Sequence, residues 1–369
     1  MAGLYIHVPF CAQKCTYCDF ASYPREINKA EGYFACLYRE IKGRSIQYPN
    51  TIIDTIYIGG GTPSVVAPEL IVGAIRQVKN CFKVKDDAEI TIELNPGTVD
   101  AEKIKAYKSV GINRFSIGLQ TGFNEQLERL NRIHTAKDFL LTCNLLKDEN
   151  ISADILLGLH DQDLEQVKKT CELAIAGGVK HLSIYALTPE VGTPIYTDYQ
   201  NGELLSDDEV ADIYDGIREY LKDKGFYRYE VSNFAKDNFY SKHNMNYWER
   251  GEYIGVGVSA SSFMDNRRFT NSFSIDEYMN AIIYNKSPEI SSEDISFEDS
   301  KFEKIMLALR TAKGLDIKEF NTLFNTDFDT EYKSVLSKKE KFLNRNGDIL
   351  TIKDEYLYVQ NDVILAFLK

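Results

Sequence analysis

Cys11-Ala-Gln-Lys-Cys15-Thr-Tyr-Cys18, a C-x3-C-x2-C run close to the N-terminus, decides how the rest of the chain is read. Such a loop can wrap its three sulfurs around one corner of an inorganic cluster, and thiolate is the usual protein ligand of a [4Fe–4S] cubane. Three protein ligands leave one iron open to a small molecule, the arrangement chemistry needs; a fully ligated cluster suits electron transfer. Two other readings compete. Free cysteines bury readily in cores, but a loop holding Lys and Gln does not resemble a core strand. Zinc could take the three thiols with His7 as fourth ligand. His7, however, lies in the alternating run Leu4-Tyr-Ile-His-Val8, which predicts a strand residue. The spacing favours the cluster.

A βα rhythm extends outward from this loop. Short β-branched runs recur at Leu4–Val8, Thr55–Ile58, Glu89–Leu94, Arg114–Leu119, Ser152–Leu157 and His181–Ala186. Helical patterns separate them, at Tyr33–Arg44, Pro68–Cys81, Ala101–Ser109, Ala136–Glu149, Leu164–Ala176 and Asp207–Lys224. The alternation predicts an α/β fold with a parallel sheet and right-handed crossovers. Pattern alone does not choose between an open doubly wound sheet and a partial barrel. After Lys224 the rhythm changes. Tyr227–Phe234 and Gly255–Met264 read as extended, and the acidic, Ser-rich stretch 287–300 reads as a linker. Helices at Lys301–Thr311, Ile317–Phe324 and Tyr332–Asn344 follow, then a hairpin pairing Asp348–Ile352 with Tyr356–Val359. Together these predict a small C-terminal α+β module of winged-helix type. The expected divisions are 1–225 for the barrel, 226–290 for an extension and 291–369 for the module.

Composition sets bounds. At 369 residues and 44% hydrophobic content the chain can bury a sizeable core. A net charge of -12 argues against a broad nucleic-acid surface, the winged-helix pattern notwithstanding. Of seven cysteines, Cys36, Cys81, Cys143 and Cys171 are scattered, mostly within helical patterns. That is no disulfide framework and suggests a reducing compartment. No apolar run is long enough to span a membrane, and no signal peptide precedes the first strand. The expected location is cytoplasmic.

Polar residues stand at the ends of apolar strands. Gly59-Gly-Gly-Thr-Pro-Ser64 follows the second strand, and glycines let backbone approach a ligand closely. An ordinary strand–helix turn would read the same way, and the loop lacks the Lys and spacing of a P-loop. Glu93, Gln120 and Asp154 lie in or at the tips of successive strands. Each could be satisfied by internal hydrogen bonds; several on neighbouring strands favour one shared ligand.

Tyr5-Ile-His-Val-Pro-Phe-Cys11, with Cys15 and Cys18, resembles the cluster loop of radical S-adenosylmethionine (SAM) proteins. More narrowly it resembles the branch holding oxygen-independent coproporphyrinogen III dehydrogenase and the HemW-type haem chaperones, and the likeness covers nearly the whole chain. It implies a partial (β/α)6 barrel with the cluster at the C-terminal mouth and a C-terminal module like that of HemN. It implies Cys11, Cys15 and Cys18 as cluster ligands. By position it implies SAM contacts at Tyr5, Tyr17, Gly60, Gly61, Thr62, Glu93, Gln120, Arg132, Asp154 and Ala186, with the glycine loop meeting the SAM amino group. Arg132 rests mainly on the resemblance, since alone it reads as a solvated helix charge. The resemblance also implies the chemistry: a reduced cluster passes one electron to the SAM sulfonium and the C5′–S bond breaks. One departure is Gly158-Leu-His160, where the family usually has Pro.

Two features separate the branches. The dehydrogenase has a further cysteine two positions after the third, where this chain has Phe20, and it carries a segment before the first strand. His243-Asn-Met-Asn-Tyr-Trp248 matches the H-N-x-x-Y-W pattern of HemW and holds the single Trp of the chain. Alone it could be an aromatic patch with a surface His. Imidazole is a common haem ligand, and aromatic rings pack on porphyrin faces, so His243, Tyr247 and Trp248 are the candidate haem contacts, with an accessible His243 as axial ligand. The expectation is a cytoplasmic haem chaperone carrying a [4Fe–4S] cluster and SAM, with haem as cargo. Its partners would be haem-accepting apoproteins, membrane-associated respiratory enzymes among them, and a homodimer is compatible with this reading. The alternatives are coproporphyrinogen III dehydrogenase and a cluster-containing redox or interaction protein.

Overall fold

Alternation along the first six strands sorts their side chains onto two faces, as a strand's period of two requires. Leu4, Ile6 and Val8 in β1 (Ala2–Val8), Ile56 and Ile58 in β2 (Ile52–Gly60), and Ile90 and Ile92 in β3 (Lys83–Leu94) are buried. So are Phe115 and Ile117 in β4 (Arg114–Gln120), Ala153 and Ile155 in β5 (Asn150–Leu157), and Leu182 and Ile184 in β6 (His181–Ala186). The intervening residues are polar and bond to one another across strands. Tyr57 donates to Glu93 (2.9 Å), Ser116 donates to Asp154 (3.3 Å), and Ser152 meets His181 (2.7 Å).

The computed structural model, which describes residues 1–368, pairs β1 to β6 in parallel and in chain order. The crossovers run through α1 (Ala30–Gln47), α2 (Pro68–Cys81), α3 (Ala101–Ser109), the pair α4 (Asn124–Arg129) and α5 (Ala136–Leu145), and α6 (Leu164–Ala176). Their apolar faces cover the apolar side of the sheet in one large core. The polar side becomes the lumen of a partial (β/α)6 barrel. α7 (Ile195–Gln200) and α8 (Asp207–Asp223) follow β6.

Segment 226–290 adds strands at both edges of this sheet. β7 (Tyr227–Arg228) and β8 (Asn233–Ala235) join antiparallel beside β6. The chain then passes through α9 (Lys242–Trp248) to β9 (Glu252–Val256), which pairs parallel to β1. β10 (Ser261–Met264) and β11 (Arg267–Asn271) continue outward antiparallel, and α10 (Ile275–Ile283) packs on α1. α9 therefore crosses from one edge of the barrel to the other at the N-terminal ends of the strands, opposite the cysteine loop.

Two sequence expectations are corrected here. Stretch 287–300 is no linker: β12 (Glu289–Asp294) pairs antiparallel with β11, and its polar side chains reflect an exposed edge strand. The C-terminal hairpin is also displaced. It joins β14 (Leu343–Asn346) to β15 (Ile349–Ile352), and Gly347 at φ +61 opens its two-residue turn. Residues 354–359 instead form 3-10 turns leading into a short final helix.

The C-terminal module runs α11 (Phe297–Ala308), β13 (Leu315–Asp316), α12 (Ile317–Phe324), α13 (Phe328–Glu331), α14 (Lys333–Lys339), β14, β15 and α15 (Gln360–Leu365). β13, β15 and β14 make a three-stranded antiparallel sheet, the element order of a winged helix. Phe320, Phe328, Tyr332, Leu350 and Phe367 centre a core separate from that of the barrel. No helix among the described residues is long and apolar enough to cross a membrane.

Candidate cluster and cofactor site

The cysteine loop is pinned by backbone bonds before any side chain is considered. Gly61 N donates to Val8 O (2.9 Å), Thr62 N to Phe10 O (2.7 Å), Tyr23 N to Pro9 O (2.7 Å) and Thr16 N to Leu130 O (3.1 Å). Gly61 is required there, because a Cβ would stand 2.7 Å from Phe10 O. Within the loop Cys18 N donates to Cys15 O (3.3 Å). All three thiols are free and face one cavity of about 370 Å³ at the C-terminal mouth of the barrel. Each sulfur has a polar neighbour. Thr62 Oγ1 donates to Cys11 Sγ (3.6 Å), Arg132 Nη1 to Cys15 Sγ (3.5 Å), and Ser22 Oγ lies 3.9 Å from Cys18 Sγ. Three converging thiols with donors aimed at the sulfurs fit a cluster held by three cysteines, since hydrogen bonds to sulfur tune such clusters.

The same cavity gathers Tyr17, Gly60, Gly61, Thr62, Glu93, Gln120, Arg132, Asp154 and Ala186 from seven places in the chain. Tyr5 is not among them and lines a neighbouring chamber. Glu93 accepts from Tyr57 and from Gly60 N (3.1 Å). A Cβ on Gly59 would stand 2.8 Å from that carboxylate, so the glycines make room for it. Burial, reinforced by the charge of Asp154, pushes the Glu93 carboxyl up to about 7. Burial raises Asp154 too, against hydrogen bonds from Ser183 and Ser116 and the charge of Arg114. Two acids so placed favour a cationic ligand. Gln120 adopts φ +67, an uncommon conformation for a side-chain-bearing residue that recurs at functional sites.

Arg132 is no solvated helix charge. Its Nη2 donates to Gly118 O (2.6 Å) and Asn95 Oδ1 (2.8 Å) while Nη1 reaches Cys15. Asn95 Nδ2 in turn donates to Thr62 Oγ1 (3.0 Å), which donates to Cys11. Asn95 thus links both sulfur donors, and sequence reasoning missed it although it stands two residues after Glu93.

The H-N-x-x-Y-W residues divide. Ser241 caps α9, and Glu89 accepts from the backbone N–H groups of Lys242 (3.1 Å) and His243 (3.0 Å). That seats His243 in the barrel floor, 1% exposed, with its ring stacked on Tyr57. Nδ1 meets Thr55 Oγ1 (2.8 Å) and Nε2 meets Tyr247 OH (2.8 Å). Burial, aided by Arg114, lowers its pKa to about 3. The expectation of an accessible axial ligand is corrected: both nitrogens are occupied and the ring lies away from solvent. Trp248 instead bonds to Glu230, whose backbone bridges to Thr311 of the C-terminal module. His7 is the strand residue expected, accepting from Tyr5 OH (3.0 Å) and donating from Nε2 to Ala21 O (2.9 Å). His160 lies 3.3 Å from Asp198 and 3.8 Å from Glu203, a half-buried cluster that does not line the cysteine cavity.

A partial barrel with three cysteines at its mouth defines the class, and residues 5–174 match the Radical SAM superfamily model. Residues 295–360 match the HemN C-terminal domain. The chain is 31% identical to heme chaperone HemW of Bacillus subtilis (strain 168), over 100% of this chain and 99% of that protein. It is also 31% identical to heme chaperone HemW of Lactococcus lactis, over 99% of this chain and 96% of that one. Coproporphyrinogen III oxidase (HemN) from Escherichia coli superposes with a TM-score of 0.87 at 19% identity, covering 100% of this chain and 90% of that one, which speaks to fold. The chain belongs to the HemW family of radical SAM proteins.

Proposed function

We propose that this chain binds haem and delivers it to haem-accepting apoproteins, with a [4Fe–4S] cluster on Cys11, Cys15 and Cys18 and SAM beside it. The observation that carries the reading is identity to heme chaperone HemW along the whole length of both chains. The converging thiols and the acid pair support the cofactors. Glu93 and Asp154 supply negative charge for the ammonium and sulfonium of SAM, while Gly59–Thr62 lets its amino group reach the backbone. Gln120 and Arg132 line the same cavity as further SAM contacts, and Arg132 also ties the end of β4 to Asn95 and the cysteine loop. When bound, the reduced cluster supplies one electron to SAM. The work is cytoplasmic, membrane-associated respiratory enzymes are among the acceptors, and the homodimer is the form to check by light scattering.

The second reading is oxygen-independent coproporphyrinogen III dehydrogenase, which the HemN-like fold favours. Phe20, 64% exposed beside the cluster cavity, occupies the place of that branch's further cysteine. The test is anaerobic haem titration of cluster-reconstituted protein, followed by transfer to an apo-haemoprotein, beside a coproporphyrinogen III assay. Haem binding and transfer without porphyrinogen turnover is expected. Turnover without haem binding would promote the dehydrogenase.

A further inference from the structure

A chamber of about 860 Å³ opens beside the cluster cavity and shares Lys14, Asp19, Phe20, Ser22, Gly60 and Glu93 with it, so its acids lie on the cluster side. Its far wall is the face of β9–β11 that carries Tyr253, Phe263 and Arg268, joined by Tyr247 and Arg250 from the end of α9. Tyr247 meets Tyr253 edge-on at 4.7 Å, and Tyr253 lies 6.3 Å from Phe263. The guanidiniums of Arg250 and Arg268 sit over the Phe263 ring at 4.6 and 5.6 Å. At the mouth Phe20 and Phe273 are 64% and 57% exposed. Large rings on the walls and at the entrance, with paired cations inside, suit a flat aromatic anion.

The two arginines already hold a carboxylate. Glu303, on α11 of the C-terminal module, takes Arg250 Nε on one oxygen (2.8 Å) and Arg268 Nη2 on the other (2.9 Å). The pair is therefore spaced for a carboxylate.

We propose that this chamber is the haem cradle, and that a haem propionate replaces Glu303 on Arg250 and Arg268. The proposal rests on the haem-binding reading and adds its location. It also gives the H-N-x-x-Y-W segment a role that the buried His243 does not supply as a ligand. His243 is a positioning residue that holds the Tyr247 hydroxyl, and Tyr247 is wall. Because Glu303 competes with the propionate, haem entry loosens the C-terminal module from β11, and return of Glu303 assists release.

The test is Soret titration of the cluster-reconstituted full chain with haem and with haem dimethyl ester, whose propionates carry no charge. Arg268→Gln is chosen because Arg268 is 39% exposed and the variant should fold; far-UV circular dichroism and iron content check this. Haem should bind Arg268→Gln about tenfold more weakly, the loss expected for one charge-assisted bond. Glu303→Gln should bind haem more tightly than wild type. The ester should bind wild type and both variants alike. If wild type binds haem and both variants match it, the cradle lies elsewhere while the haem reading stands. If wild type binds neither haem nor ester, the reading and the cradle fall together. Should Arg268→Gln not fold, haem against ester on wild type and Glu303→Gln decides alone: equal affinity for the two ligands overturns the proposal.

Discussion

Arg132 Nη1 stands 3.5 Å from Cys15 Sγ, while its other terminal nitrogen is fixed by Gly118 O and Asn95 Oδ1. A guanidinium anchored at two carbonyl oxygens cannot swing away, so its charge stays on the sulfur. Hydrogen bonds and charge near thiolate stabilise the reduced, more negative state of a cluster. Arg132→Gln should move the cluster potential to more negative values with iron content unchanged. Redox titration followed by electron paramagnetic resonance reads this directly, and an unmoved potential would remove Arg132 from the cluster's surroundings.

Cluster binding itself has a simpler check. Reconstituted wild type should hold close to four irons and four sulfides per chain. The triple Cys11/Cys15/Cys18→Ala variant should lose the broad brown absorbance. Iron and sulfide retained there would place the cluster on other residues, and the four scattered cysteines would be next to examine.

Glu93 gives the site a pH dependence whose sign is fixed. Its folded pKa, about 7, lies above the ordinary carboxyl value of 4.5. Between those values the unfolded chain has released the proton and the folded chain retains it. The cofactor-free fold therefore loses stability as pH rises from about 4.5 to 7, by at most ~3 kcal/mol and less because the carboxyl lines an open cavity. SAM affinity should run the other way, rising through pH 7 as Glu93 ionises to meet an ammonium. Glu93→Gln should flatten both profiles. Calorimetric binding at pH 6 and pH 8 is the measurement, and a profile unchanged by the substitution counts against the assignment.

Much of the barrel was legible because its strands carry period-two alternation and its helices carry clean boundaries. Pro68–Cys81, Ala101–Ser109 and Leu164–Ala176 begin and end where the pattern says. The alternation held more than was read from it: Thr55, Tyr57, Glu93, Ser116 and Asp154 fall in one phase and foretell a polar lumen. Edge strands were harder. β12 is acidic and Ser-rich since it buries little, so composition mimics a linker. The hairpin was misplaced because a short apolar run, Tyr356–Val359, fits strand and helix equally. Position relative to the floor or mouth of the barrel is a tertiary property. Nothing within His243–Trp248 states that α9 crosses under the lumen rather than over the cluster.

His243 carries the last prediction. Its ring is buried, neutral and bonded at both nitrogens, so removal acts first on the fold. His243→Ala opens a void and leaves the hydroxyls of Thr55 and Tyr247 without their partner, a cost of about 2–4 kcal/mol. The acid limb should change as well. A folded pKa of about 3, below the ordinary 6.5, means that the unfolded chain gains a proton first as pH falls. Wild type therefore loses stability from pH 6.5 downward, and His243→Ala should lose correspondingly less over the same range. Haem loading separates structure from ligation. If His243 only holds Tyr247, the Soret band of the haem-loaded variant keeps its position while affinity falls, and Tyr247→Phe keeps the band too. A displaced band in His243→Ala with the cluster intact would mean that α9 moves to present the imidazole to iron, and the floor described here would then be one of two states.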